Sequence, residues 1–402
     1  LSNGRTMVQG VRDQIMYSFG SRPTPCNATT AEENPAATIE RAFRSLSVEE
    51  QRKIQRDRDG GGAPIAEEST TFVNEKLEEL DREINRLSDN TKKAYTEAIR
   101  QEIEQAGAAE VAAAVEKSVG GDHKRQFEAK ADQHVVETNK DSKILQQRHR
   151  NAIASGEKEY VRSKEFRLMF LRAEEFNARM AARRITRYFK EKKELFGAEK
   201  LSSPITQRDL SEADKEVMLS GCICINGATD IHGRLILFNC RKTMDNFNVN
   251  SMRRSFYYLL QILEDKVSWQ QKGTVLLADA RKMGVPNPAT ERRLYPLIRM
   301  MNHALPFRTA SRHVLYDNEV VHFFLKLALV VIPNNSKARI QTHYGKTAQE
   351  MLSPLLAQGI DLNDLSLSTE CGFQREPFES FLDNWRQREE AAREDPHWLT
   401  KE

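Results

Sequence analysis

TVLLADA, residues 274–280, decides the architecture, because an apolar run from Val275 to Ala278 closed by Asp279 reads as a short, largely buried strand. Working outward, strand and helix patterns alternate. Upstream, RLILFNC (234–240) reads as a strand after the DIHG turn, and Asn250 or Ser251 begins an amphipathic helix through Met252, Phe256, Leu259 and Leu263. Downstream, ATERRLYPLIRMMNHAL (289–305) reads as a helix that Pro296 bends or breaks. RHVLYD (312–317) is a third strand, EVVHFFLKLALVVI (319–332) an unusually apolar helix, ARIQTHY (338–344) a fourth strand and AQEMLSPLLAQ (348–358) a further helix. This alternation predicts an α/β domain whose sheet contains parallel pairs.

The half before residue 206 reads differently. Residues 1–65 are expected to be a largely disordered tail with room for a short helix, ending at the flexible DGGGAP (59–64). In 66–160, Val73, Leu77, Leu80, Ile84 and Leu87 recur at alternating four and three residue steps, a heptad seam. Such a seam pairs with a protein partner, self-associates, or packs against its own chain. The alanine-rich, then polar, stretch 107–160 reads as a solvated helical or disordered linker. In 161–205, Phe166, Met169, Phe170 and Ala173 share one helical face, Asn177 caps a second helix, and Met180, Ile185, Tyr188 and Phe189 form its apolar face. Arg172, Arg179, Arg183 and Arg187 are expected mostly outward. From 166 to 197 nine Lys or Arg stand against four Glu, 9 − 4 = +5, so this face either attracts anionic headgroups or is simply solvated. The α/β domain then occupies 206–385 and a C-terminal tail 386–402.

Composition excludes several functions. A net charge of +3 and a pI near 8.5 give no global field for nucleic acid, and aromatic stacking motifs are lacking, so no nucleic-acid partner is expected. Five cysteines in 402 residues suit reduced thiols rather than a disulfide framework. FFLKLALVVI (323–332) is too short to span a bilayer and contains Lys326. GKT at 345–347 lacks the upstream glycine of a phosphate-binding loop, since Ile340 stands there. Cys222 and Cys224 have no companion ligands for a metal, and Asp279 has no neighbouring acid or base. No catalytic residue, metal or cofactor is expected.

The order of these features resembles the CRAL-TRIO family. FRLMFLRAEEFNARMAARRITRYFKEKKELFG (166–197) is similar to the family's N-terminal helical segment through Phe170, Leu171, Arg172, Ala173, Phe176 and Ala181 or Ala182. DIHGRLILF resembles the motif leading into the first lipid-domain strand, with Asp230, Gly233 and Arg234 kept and Leu235 replacing proline. VLLADAR, LPFR (305–308) and LSTECGF (367–373) resemble three later motifs, the last departing at Ser368 and Phe373.

The resemblance implies a mixed β-sheet floor walled by helices, a mobile gate helix, a small all-α subdomain before it, and a cavity for a phospholipid or other hydrophobic small molecule. From pattern alone, helix 319–332 is a buried core helix; the resemblance makes it the gate, with Phe323, Phe324, Leu327 and Leu329. By position, Leu235, Leu237, Thr274 and Leu276 point into the bowl. Arg308 and Arg339 match basic residues at the polar end of a phospholipid, or else form surface salt bridges. Phe307 stands where inositol-lipid binders carry an acid, which leaves phosphatidylcholine or an isoprenoid-like ligand open. Exposing two acyl chains of roughly 30 methylenes to water would cost more than about 20 kcal/mol, at about 0.8 kcal/mol each. Exchange is therefore expected at membranes, by a cytoplasmic protein that associates with them peripherally. The other expectation is an adaptor that recruits a partner through residues 73–87.

Overall fold

The structure, a computed structural model, describes residues 34–58, 68–118, 160–261, 267–284, 288–332, 334–365 and 375–394; the side chains of 109–118 and of Leu327, among others, fall outside that set. DGGGAP, most of the linker, LSTECGF and the last eight residues also lie outside it.

Two helices, α1 (Pro35–Arg44) and α2 (Val48–Arg58), stand where a tail was expected. Asn34 caps α1 by accepting from the Ala36 N–H at 3.1 Å. Ser47 and Glu50 form a reciprocal box on α2, with N–H to side-chain oxygen distances of 3.0 and 3.3 Å. The apolar residues are few, but Ile39, Ala42 and Ile54 are all buried. Docking on an existing surface needs only about one such residue per turn, so the polar average of this segment misled the sequence reading.

The next four helices form an all-α body. α3 (Thr70–Arg86), α4 (Asp89–Ser118), α5 (Lys164–Ala173) and α6 (Ala178–Phe196) are joined by a shared core. The heptad seam is used internally: Val73, Leu80 and Ile84 are buried, and α3 packs on α5 and α6. Asn177 caps α6 as the sequence indicates, accepting from Met180 N–H at 3.1 Å. Phe166, Phe170, Tyr188 and Phe189 meet edge to face with centroids 5.2 to 5.9 Å apart. Two expectations are corrected here. Arg172 is buried, holding Glu68 in a two-pronged pair at 3.0 and 2.6 Å, whereas Met180 is 41% exposed.

After α7 (Glu212–Leu219) the chain builds one five-stranded sheet. β1 (Ile223–Cys224) runs antiparallel to β2 (Leu235–Cys240). α8 (Val249–Leu259) and α9 (Val267–Lys272) lead to β3 (Thr274–Asp279), then α10 (Pro288–His303), which continues through Pro296, leads to β4 (Thr309–Tyr316). α11 (Glu319–Val331) and the short α12 (Asn334–Lys337) precede β5 (Ile340–Tyr344), followed by α13 (Ala348–Leu356) and α14 (Arg375–Glu394). The order is β1-β2-β3-β4-β5, with β2 to β5 parallel. The expected mixed α/β class is therefore present. The tail placed at 386–402 begins instead as helix, since α14 continues to Glu394 and Glu389 accepts the Gln207 N–H at 3.1 Å.

Register sorts the side chains. Leu237, Leu276, Arg312 and Ile340 are paired across β2 to β5 and form one row on one face, and Phe238, Leu277, His313 and Gln341 form the adjacent row on the other. α13 packs on β5, and just past its end Gln358 reaches Gln341 on the second face at 3.1 Å.

Leu80 has no solvent exposure, so Leu80→Ala is expected to cost about 2–5 kcal/mol. Its urea midpoint should not depend on protein concentration, because the seam's neighbour belongs to the same chain. A midpoint rising with concentration would place the seam between chains.

Candidate ligand cavity

The first face of the sheet is not sealed by its helices. A cavity of about 400 Å³ lies between it and α10 and α11. Leu237, Leu276, Ala278 and Val314 form its floor, with Leu297 and Met301 from α10 and Phe324 and Ala328 from α11 as walls. Arg241, Arg292 and Arg312, with Asn239, Tyr295 and Asn302, are polar groups in this largely apolar lining. Such a ratio, many apolar groups and a few orienting polar ones, is that of a small-molecule site.

Leu237 and Leu276 thus line the cavity. Leu235 and Thr274 share their face but sit two residues nearer the strand starts, fully buried and not in the lining. There the sheet is closed over, and the Thr274 N–H donates to the Arg308 carbonyl at 2.8 Å. Within α11 the four expected gate residues diverge. Phe324 faces the cavity, Phe323 is 47% exposed, and Leu329 is buried against Ile39 of α1 and Ile340. The Leu327 side chain lies outside the described residues.

The placement of Arg308 and Arg339 corrects the reading that they meet a ligand phosphate. Both guanidinium groups bind the carboxylate of Asp57, one to each oxygen, and neither lines the cavity. Arg234 completes the cluster by donating to the Asp57 carbonyl while its Nε holds Asp230 at 2.6 Å. The three arginines immediately precede β4, β5 and β2, so parallel strands bring them to one edge. Gly273, before β3, has φ +81°, and a Cβ there would stand 3.1 Å from the Arg308 guanidinium. The sequence reading missed Asp57 because QRDRDGG has the composition of a solvated tail.

Arg312 was also missed, since RHVLYD was read only as a strand. Its Nη2 meets the Asn302 Oδ1 at 2.6 Å. Burial, with the nearby charge of Arg339, pushes its pKa down to about 10. Asn302 itself is steadied through its carbonyl, which accepts from Arg184 at 3.0 Å. On the opposite face, His313 and His343 stack with centroids 5.2 Å apart and share an Nδ1 to Nε2 contact of 3.0 Å. Burial and then the neighbouring His343 and Arg234 push His313 down to about 3; burial pushes His343 down to about 4.

Asp279 is held by Arg281 at 2.9 and 2.8 Å, a structural pair. The Cys222 thiol is pushed up to about 12 by burial, and that of Cys224 is raised for the same reason. Among the described residues no three His, Cys, Asp or Glu side chains gather as a metal site would need. No family model matches the chain, and no curated protein matches it.

Two outcomes follow from these charges. Asp57→Ala leaves two arginines without their carboxylate and is expected to cost about 3–5 kcal/mol by urea unfolding. The histidine pair sets a pH dependence. Folded, both imidazoles stay neutral down to about pH 4, whereas an unfolded chain protonates them near about pH 6.5. The unfolded state therefore binds more protons between these values, and stability should fall as pH drops from about 6.5 to about 4. His343→Gln should flatten that slope; an unchanged slope would assign it to other groups.

Proposed function

We propose that the chain binds a hydrophobic ligand in this cavity and exchanges it at membranes, without covalent chemistry, in the manner of a CRAL-TRIO lipid-binding protein. The observation that carries the reading is the apolar cavity between a mostly parallel sheet and α11. The motif order noted in the sequence supports it. So does α11, which presents Phe324 to the cavity while Phe323 and Val320, 47% and 38% exposed, face outward. A helix apolar on both sides can leave its seat for a lipid surface at little cost, since hydrocarbon replaces the contacts it gives up. No described helix is long and apolar enough to cross a membrane, and the mode of contact proposed is peripheral.

A volume of about 400 Å³ lies in the lower part of the range of about 300–1,000 Å³ common for small-molecule pockets. It favours a compact or single-chain ligand over a two-chain phospholipid.

Purified protein incubated with membranes, re-isolated and extracted should yield a stoichiometric lipid by mass spectrometry. Ala278→Trp, which fills the floor, should abolish that recovery while leaving the protein folded. Phe323→Asp should slow transfer between vesicles by about tenfold, because an acid at this position opposes membrane contact. No lipid recovered from wild type, together with no transfer, would overturn the reading.

A further inference from the structure

Three arginines, Arg241, Arg292 and Arg312, line the cavity, and the surroundings of Arg312 bear on what kind of ligand it takes. Among the described residues every fully buried arginine holds a carboxylate: Arg172 with Glu68, Arg234 with Asp230, Arg253 with Glu191, Arg281 with Asp279, and Arg308 with Asp57. Arg312 differs. It is half-buried, and it lines the cavity. The one hydrogen-bond partner of its guanidinium among the described residues is the neutral amide oxygen of Asn302. Arg339, the charged neighbour of Arg312, is itself already paired with Asp57.

A guanidinium has five donors and no way to become neutral near physiological pH. Enclosed beside Leu276, Ile340 and Phe324, it bears a desolvation penalty that one amide offsets poorly. Its remaining donors suit the paired oxygens of a carboxylate or phosphate. The Asn302 Nδ2 has no acceptor among the described residues and supplies another donor beside it.

We infer that the cavity selects an amphiphile with an anionic oxyacid head, carboxylate or phosphate monoester, bound by Arg312 and Asn302 with its apolar tail against the cavity lining. This rests on the hydrophobic-ligand reading above and adds the chemistry of the head. Val314, Ala280 and Val321, further along the strands and onto α11, provide the apolar path for the tail. The site is separate from the Asp57 cluster, whose arginines do not line the cavity.

The test is a calorimetric titration of delipidated full-length protein with palmitate, monohexadecyl phosphate and the neutral hexadecanol. Charge-assisted hydrogen bonding predicts that at least one anion binds about tenfold or more tighter than the alcohol. Whichever anion binds tighter identifies the head as carboxylate or phosphate. Arg312→Gln should bring the anions to within about twofold of hexadecanol, whose own binding should not change. Arg312→Leu, by removing an unpaired charge, should be at least as heat-stable as wild type without ligand, an outcome a purely structural arginine would reverse. Equal binding of anions and alcohol by wild type, or an anion preference retained in Arg312→Gln, would overturn the inference while leaving the hydrophobic-ligand reading intact. Binding of none of the three would overturn both.

Discussion

The carboxylate of Asp57 is the constraint on which the sheet's amino edge depends. Parallel strands start at one side, and here three of the four starts carry arginine, so like charges converge in a buried place. Without an anion that convergence would oppose sheet closure. Asp57 supplies one oxygen to Arg308, the other to Arg339, and its carbonyl to Arg234. Lys53, one turn earlier on α2, adds a pair with Glu175 at 2.5 Å, tying the same helix to the turn between α5 and α6. The N-terminal helices are thereby an integral part of the α/β domain and of its junction with the helical body.

That attachment reaches the cavity. α1 follows from the same docking, and its Ile39 packs on Leu329 and Ile340. α11 therefore has three different surroundings: the cavity at Phe324, α1 at Leu329, and solvent at Phe323. Its polar residues Glu319, His322 and Lys326 fall at helical spacing, and the rest of its circumference is apolar without being completely buried. Any outward movement of α11 separates Leu329 from Ile39, so the segment fixed by Asp57 also holds the cavity's wall.

What was legible in the sequence was mostly local. Runs such as LILF and VLLA fix strands by composition, Asn177 marks a helix start, and alternation places Leu237 and Leu276 on a common face once their strands are neighbours. The extent of the cavity along that face was not legible, because it depends on how α10 and α11 seat. Leu235 and Thr274 obey the same alternation and are nevertheless sealed in. Long-range charge pairing was less legible still. Arg308 and Arg339 have residue types suited to phosphate, and nothing near them in sequence shows that a carboxylate some 250 to 280 positions earlier satisfies them. The heptad seam of α3 was a sound periodicity whose partner, α6, only the tertiary structure supplies.

Arg312 shows how the two kinds of information combine. Its strand parity with Val314 is visible in RHVLYD, but parity acquires meaning only when one face encloses a cavity and the other a stacked histidine pair. A pKa near 10 still leaves the guanidinium protonated at neutral pH, so the wall carries a positive charge whether or not a ligand is present. Low-dielectric surroundings strengthen that charge's attraction for an anion and raise the cost of leaving it alone. Apolar lining supplies affinity roughly in proportion to buried area, without distinguishing among tails, whereas a charged wall group distinguishes among heads.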